Sequence, residues 1–594
     1  QVRLFFAWCL RVPLSPARRA SREGRATMTR MIELRAPLQA QLVHWLVRPG
    51  DTVAKGQPLL VLEAMKMEHE LCAEADLLVL ELLAEGGETV AEQAPLLRAR
   101  AADALPATRA AAPQDAPSPA QVPLRADLAD VRQRHALTLD AARPEAMARR
   151  HALGQRSARE FVATVCDEGS FVEYGALAVA AQRSRRDEDD LRRNTPADGL
   201  VTGIGEVNGA GSAVLMAYDA TVLAGTQGMR NHQKTDRLLG VALARQLPVV
   251  LWAEGGGGRP GDVDMPIVAG LQLGTFAALA RLRGQVPLIG ATGGRCFAGN
   301  AALLGCCDLV IATRASNIGM GGPAMVEGGG LGRFRPEEIG PSAVQHANGV
   351  IDVLVEDEAQ AADAVRRALG FFQRACPPGP APDPLALREL VPENRLRVYD
   401  TRRAIEGLAD LDSLLWLREG FGRGLHTALG RIAGRSVGFM ANNPQHLSGA
   451  VDADAADKAT RFMALCDTHG LPLVSLVDTP GFMVGPDAEA SGLVRRVGDL
   501  FTQAARLRVP FFSVVLRKGY GLGAMGMTAG GFHAPVFTVA WPTGEFGAMG
   551  LEGAVRLGYR KELEALPEGP QREALYGQLV ARQYAAGSAM NMAA

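Results

Sequence analysis

No apolar run in the 594 residues reaches the roughly 18 that a membrane span requires. Net charge of one sign is also lacking: 63 basic residues stand against 64 acidic ones, a formal charge of −1. No global field therefore points to a nucleic acid or to a membrane surface. The eight cysteines form no Cys-x-x-Cys pair, which fits free thiols in a reducing cytoplasm. The ten histidines form no ligand cluster, so no metal is expected. No Gly-x-x-x-x-Gly-Lys-Ser/Thr occurs, and no Gly-x-Gly-x-x-Gly follows a first strand. A nucleotide P-loop and a dinucleotide fold are thereby unsupported.

Glycine, in contrast, is plentiful at 67 residues and clusters at turns. The length calls for at least three domains. Residues 1–30 are Arg-rich with Glu23 as their one acid. They are set aside as upstream sequence ahead of Met28 or Met31, or a fragment boundary, with a transit peptide as the alternative.

Residues 31–99 repeat themselves. Gly50-Asp51-Thr52-Val53-Ala54 recurs as Gly87-Glu88-Thr89-Val90-Ala91, and Pro58-Leu59-Leu60 as Pro95-Leu96-Leu97, at an offset of 37. Each copy reads as a turn followed by short strands, so two copies predict a small pseudo-twofold β-sandwich. Between them lies Glu63-Ala64-Met65-Lys66-Met67-Glu68, which puts a lysine at the tip of the joining hairpin. Residues 100–139 open with Ala and Pro (Pro106, Pro113, Pro117, Pro119, Pro123) and read as a linker.

The remainder is doubled as well, at an offset of 224. Lys234 precedes Leu247-Pro248-Val249-Val250 by 13 residues, as Lys458 precedes Leu471-Pro472-Leu473-Val474, and Ala298-Gly299 falls onto Leu522-Gly523. Strands at Ser212–Tyr218 and Val437–Met440 alternate with helices at Lys234–Gln246 and Ala456–His469, as in crossover βαβ units. Four strand-to-glycine turns, each expected to open a helix, at 255–258, 293–300, 480–486 and 519–526, form one pair per half. Backbone N–H groups at such turns hold phosphate or a developing oxyanion. Two matched pairs imply a reaction between two carbonyl compounds.

Ala64-Met65-Lys66-Met67 resembles the attachment site of biotin carboxyl carrier domains. Residues 140–594 resemble the carboxyltransferase component of biotin-dependent acyl-CoA carboxylases, through Pro196-Ala197-Asp198-Gly199, Arg295-Cys296-Phe297-Ala298-Gly299-Asn300, Val391-Pro392-Glu393-Asn394 and Val477-Asp478-Thr479-Pro480-Gly481-Phe482. The resemblance implies a biotinyl/lipoyl-type barrel (31–99) followed by two crotonase-like halves of the ClpP/crotonase type, an acyl-CoA side at 140–378 and a carboxybiotin side at 379–594. It further implies biotin on Lys66, with Gly256, Gly257, Ala298 and Gly299 as backbone donors to the thioester. Tyr520, Gly521, Leu522 and Gly523 are then placed at carboxybiotin, with Leu522 and Gly523 donating to its ureido oxygen. Tyr520 and Arg295 are otherwise read as a packed ring and a loop ion pair. A biotin carboxylase subunit, a biotin protein ligase and a homo-oligomer (dimer or trimer of dimers) are the implied partners. The function expected is carboxyl transfer from Lys66-borne carboxybiotin to the α-carbon of an acyl-CoA through an enolate. A decarboxylase or transcarboxylase, and a non-catalytic acyl-CoA-binding scaffold, are the alternatives. The sequence departs from the family at Glu254-Gly255-Gly256-Gly257-Gly258-Arg259, where many members have Asp-Ser-Gly-Gly-Ala-Arg. Its end at Ala594 is expected to be a truncation, since the family runs on through a further short segment.

Overall fold

The computed structural model describes residues 31–102, 124–264, 271–373 and 376–593. The chain divides into a unit up to Leu124 and a unit from Arg125 onward. Residues 1–30, with Cys9, and most of the expected linker fall outside the described residues; within 100–139, residues Ala126–Ala136 form a helix.

Among the described residues the first unit is a sandwich of eight strands: β1 (Met31–Arg35), β2 (Ala40–Trp45), β3 (Thr52–Val53), β4 (Pro58–Ala64), β5 (Met67–Cys72), β6 (Leu77–Leu82), β7 (Thr89–Val90) and β8 (Pro95–Ala101). They form two four-stranded sheets, β1-β8-β6-β3 and β5-β4-β2-β7. The 37-residue repeat is carried by strands: β2, β3 and β4 recur as β6, β7 and β8. Register shifts between Pro58 and Leu60, so both Leu59 and Leu60 are buried, as are their counterparts Leu96 and Leu97. With Leu42, Leu62 and Val79 they make the core.

The second unit holds two sheets that share one hydrophobic core. The first contains β9 (Val172–Glu173), β10 (Leu200–Val207), β11 (Gly211–Tyr218), β12 (Val249–Trp252), β13 (Leu288–Thr292), β15 (Leu309–Thr313) and β17 (Val353–Val355), in the order β17-β15-β13-β12-β11-β10-β9. β14 (Arg295–Phe297) and β16 (Asn317–Gly319) pair separately. The second contains β18 (Leu415–Leu417), β19 (Leu425–Ile432), β20 (Arg435–Asn442), β21 (Leu473–Thr479), β22 (Phe511–Tyr520) and β23 (Phe537–Ala540) in that order, with β24 (Glu545–Gly547) also on β22. Each half opens with an antiparallel hairpin (β10–β11, β19–β20) and continues parallel. The parallel strands read as unbroken apolar runs, Val-Val-Leu-Trp in β12 and Leu-Val-Ile-Ala-Thr in β15, because both their faces are covered.

The 224-residue duplication reaches single hydrogen bonds. Gln227 N–H donates to Gly257 O (2.8 Å) and Arg259 N–H to Gln227 O (2.9 Å); 224 residues on, Val451 N–H donates to Gly481 O (3.0 Å) and Met483 N–H to Val451 O (2.9 Å). The turns Leu223–Gly225 and Leu447–Gly449 share left-handed residues at Leu223, Ala224, Leu447 and Ser448. Both helices begin a turn earlier than expected, at Met229 and Ala453. Their lysines, Lys234 and Lys458, are buried and reach back to the hairpin: Lys234 Nζ bonds Ala197 O (2.9 Å) and Leu200 O, and Lys458 Nζ bonds the carbonyls of Arg418, Phe421 and Leu425 at 2.7–3.0 Å. Burial depresses them to about 8 and about 7 respectively.

Candidate active site

Lys66 occupies the second position of the two-residue turn joining β4 to β5; Ala64 and Met67 form the last ladder pair. Met65 and Lys66 have φ of 51° and 65°, the backbone of a type I′ hairpin. The register leaves the lysine exposed, with Met65 97% and Met67 65% accessible. No ion pair or hydrogen bond holds the Lys66 side chain among the described residues. An uncommitted primary amine on a rigid tip fits the chemistry of acylation by a carboxylic acid, as covalent attachment of biotin demands.

In the first half of the larger unit, β12 ends at Trp252 and the chain enters Glu254–Gly258. Gly255, at φ 110°, bonds both ways across β14: its N–H to Arg295 O at 2.6 Å, its O from Phe297 N–H at 2.9 Å. Gly256 N–H is engaged by Ala224 O (3.3 Å) and Ala298 N–H by Gly319 O (2.9 Å). Gly257 N–H has no protein acceptor among the described residues, and Gly299 opens the helix Gly299–Gly305, where first-turn N–H groups have no intrahelical partner. These two groups are neighbours: a Cβ on Gly257 would stand 2.8 Å from Ala298 Cβ and 3.6 Å from Gly299 N. The structure thus brings Gly257, Ala298 and Gly299 together, while Gly256 spends its donor on the adjacent turn.

The expectation that every glycine turn opens a helix does not hold at 255–258; among the described residues the next helix is Thr275–Leu282. Four glycines supply no helix propensity, and side chains fix this turn instead. Arg259 bonds Asp198 of the Pro196–Gly199 turn and donates to Thr226 O at 2.8 Å, while Asp198 also accepts Asn231 N–H at 2.8 Å. Asn300 Nδ2 ties Gly225 O (3.0 Å) to Glu254 O (2.9 Å). Arg150 forks onto Glu254 (2.9 and 3.0 Å) and lies 3.8 Å from Glu358. Burial, then the neighbouring Glu254 charge, pushes Glu358 up to about 7. A cleft of about 570 Å³ lined by Arg149, Arg150, Gly255 and Arg295 opens beside the turn. Arg150, Glu358 and Gln227 lie outside every motif in the sequence, and Asp198 and Asn300 lie inside motifs that assigned them no role.

In the second half, β22 ends at Tyr520 and the helix Gly521–Met527 follows. Leu522 and Gly523 are in its first turn, and Leu522 is 61% exposed. A Cβ on Gly523 would sit 2.5 Å from Gly481 C and 2.9 Å from Phe482 N, so only glycine lets the helix meet this turn. Tyr520 is buried with its hydroxyl on Glu545 (2.9 Å), which also pairs with Arg395 (2.8 Å); burial and that carboxylate raise the phenol. Arg295 forms an ion pair with Glu337 at 2.8 Å, both largely exposed. No hydrogen bond or ion pair links Gly257 or Gly299 to residues 520–523 among the described residues.

A carboxyl transferase domain model matches residues 149–590, and a biotin-requiring enzyme model matches residues 32–98. The chain belongs to the carboxyl transferase family. It is fused to a domain of the biotin-requiring type, so biotin is its cofactor. Its structure is similar to that of a single-chain, multi-domain long-chain acyl-CoA carboxylase (51% identity, TM-score 0.76), covering 96% of this chain but 55% of that one; the chain spans just over half its length. The biotin-dependent acetyl-/propionyl-coenzyme A carboxylase beta5 subunit of Mycobacterium tuberculosis is 31% identical over 466 residues, 74% of this chain and 83% of that protein. The transcarboxylase 12S structure, described as a hexamer, matches at 28% identity and TM-score 0.69, covering 79% of this chain and 90% of that one. This carboxyl transferase carries both crotonase-like halves on one chain. No helix of the described residues is long and apolar enough to cross a membrane.

Proposed function

We propose that this chain transfers a carboxyl group from biotin on Lys66 to the α-carbon of an acyl-CoA. The observation that carries the reading is the paired construction: an uncommitted lysine at a hairpin tip, and two glycine turns of one geometry in the two halves. Biotin, when bound, supplies the ureido ring on which a carboxyl group travels.

On the acyl side, Gly257 and Gly299 N–H hold the thioester oxygen and stabilise the negative charge that develops when the α-proton leaves; Ala298 shapes the gap between them. Gly256 acts one step back, through its bond to Ala224. Rigid backbone donors in a half-buried pocket need no reorganisation during reaction, which is the largest single source of such stabilisation. On the other side, Leu522 and Gly523 N–H hold the ureido oxygen, and Tyr520 and Gly521 set the start of their helix. Two carboxylates beside the acyl turn are committed, Glu254 to Arg150 and Asp198 to Arg259, and neither is free to serve as a base. The backbone's contribution is binding, orientation and oxyanion stabilisation.

A biotin carboxylase subunit loads the cofactor with ATP, a biotin protein ligase attaches it, and copies of the chain pair N-half to C-half in the cytoplasm. The seven described cysteines are free, as that compartment favours. The 12S likeness keeps a second reading, transcarboxylation from another carboxylated acid. Peptide mass spectrometry after coexpression with a biotin ligase should place biotin on Lys66 alone. Biotin on another lysine, or on none, overturns the assignment. A panel of acyl-CoAs from acetyl to palmitoyl, assayed with a biotin carboxylase and ATP, then identifies the substrate.

A further inference from the structure

The two halves share their turn geometry but differ in one side chain. Gln227 and Val451 are equivalent: each is bridged to its glycine turn by the same pair of backbone bonds, 2.8 and 2.9 Å in the first half, 3.0 and 2.9 Å in the second. Val451 is an apolar residue in the core, 1% exposed. Gln227, 4% exposed, buries an amide at a position whose backbone demonstrably accepts valine. Burying an amide costs free energy unless it is used.

Its surroundings show the use. Gln227 Nε2 donates to Tyr218 OH at 3.2 Å, the hydroxyl of a wholly buried ring on β11. The other end of the amide lies flush on the first turn of Gly299–Gly305: a Cβ on Gly299 would collide with Oε1 of Gln227, so this oxygen meets a Cα–H bond of Gly299 head-on. Its main chain meanwhile holds Gly257 O and Arg259 N–H. One residue thus touches both elements that carry the acyl-side donors, and Tyr218 fixes which way its amide points.

We propose that Gln227 is a positioning residue, with its amide oriented by Tyr218 and setting the gap between Gly257 N–H and Gly299 N–H into which the thioester oxygen fits. This rests on the oxyanion reading of those two groups. It does not act on the substrate directly. The second half, whose ligand is a urea rather than a thioester, does without the amide.

The test uses the full chain, biotinylated for kinetics and unmodified for binding. Gln227→Val installs the residue of the other half; Tyr218→Phe removes the anchor and one oxygen atom. The probes are the best acyl-CoA of the panel, carbon-13 labelled at its carbonyl, and the thioether in which CH2 replaces that carbonyl. The unmodified wild type should shift the thioester stretch to lower wavenumber and bind the thioester more tightly than the thioether. Each variant should lose most of both effects, with kcat down by about tenfold, since a misplaced donor is worth less than a deleted one. KM should change by less than about threefold, and the double variant should be no worse than either single one, because both cut one linkage. Variants that keep the full wild-type shift and preference overturn the proposal, even if their melting temperatures fall. A wild type with no shift overturns the oxyanion reading and this inference together.

Discussion

Gly257 and Gly256 are adjacent, and neither has a backbone angle that alanine resists. Their neighbours separate them. A Cβ on Gly257 stands 2.8 Å from Ala298 Cβ, where apolar carbons rest at about 3.5–4.0 Å. One of the two must retreat by roughly 0.7–1.2 Å. Ala298 is poorly placed to yield: it sits at φ 52° with its N–H held by Gly319 O. The displacement falls on Gly257 N–H and Gly299 N–H, and a misplacement of about 1 Å costs on the order of 10²-fold in rate, about 2.7 kcal/mol of barrier. A Cβ on Gly256 meets only the methyl of Thr226 at 3.2 Å, a contact relieved by a shift of a few tenths of an ångström. Gly257→Ala should therefore lower kcat by about 10²-fold and Gly256→Ala by less than about fivefold. The assay is initial-rate carboxylation of acyl-CoA with a biotin carboxylase, at matched biotin content. Equal losses in both variants, or a Gly257→Ala enzyme within threefold of wild type, would show that Gly257 N–H is not the donor that sets the rate.

Lys66→Arg keeps charge and hairpin but removes the acylable amine, so streptavidin blots should lose their signal while circular dichroism and melting temperature stay at wild-type values. Arg150→Met leaves Glu254 buried without its partner and should destabilise the larger unit by about 3–5 kcal/mol in urea unfolding. Glu358 has a folded pKa raised to about 7 against about 4.5 when unfolded, so the folded state binds more protons between those values and stability falls as pH rises from about 4.5 to 7. Glu358→Gln should flatten that slope in melting curves taken across the window; an unchanged slope would show that Glu358 is not its source.

The fold was legible because both duplications keep their punctuation. The offset of 37 recovers β2–β4 in β6–β8, and the offset of 224 recovers the hairpins, the lysine-bearing helices and the bridges at Gln227 and Val451. Turn glycines and buried strands leave local marks, and Lys66 stood out by residue types alone. What stayed hidden was long-range. Arg150 and Glu254 are 104 residues apart, and no periodicity announces such a pair. Which of two neighbouring glycines keeps a free N–H depends on the register of β12 against the Leu223–Gly225 turn. Gln227 carried no signal, since its importance lies in where the amide points. The helix expected after Gly255–Gly258 failed because side-chain ties replaced it.

On the proposed function, one chain both carries the carboxyl group and delivers it. A single-turnover experiment loads the biotinylated chain with carbon-14 bicarbonate, using a biotin carboxylase and ATP, removes the small molecules and the carboxylase, and adds acyl-CoA. Label should leave the protein and appear in the acyl-CoA product, Lys66→Arg should take up no label, and Gly257→Ala should release it about 10²-fold more slowly. Label that stays on the wild-type chain, or that reaches acyl-CoA through Lys66→Arg, would contradict that function.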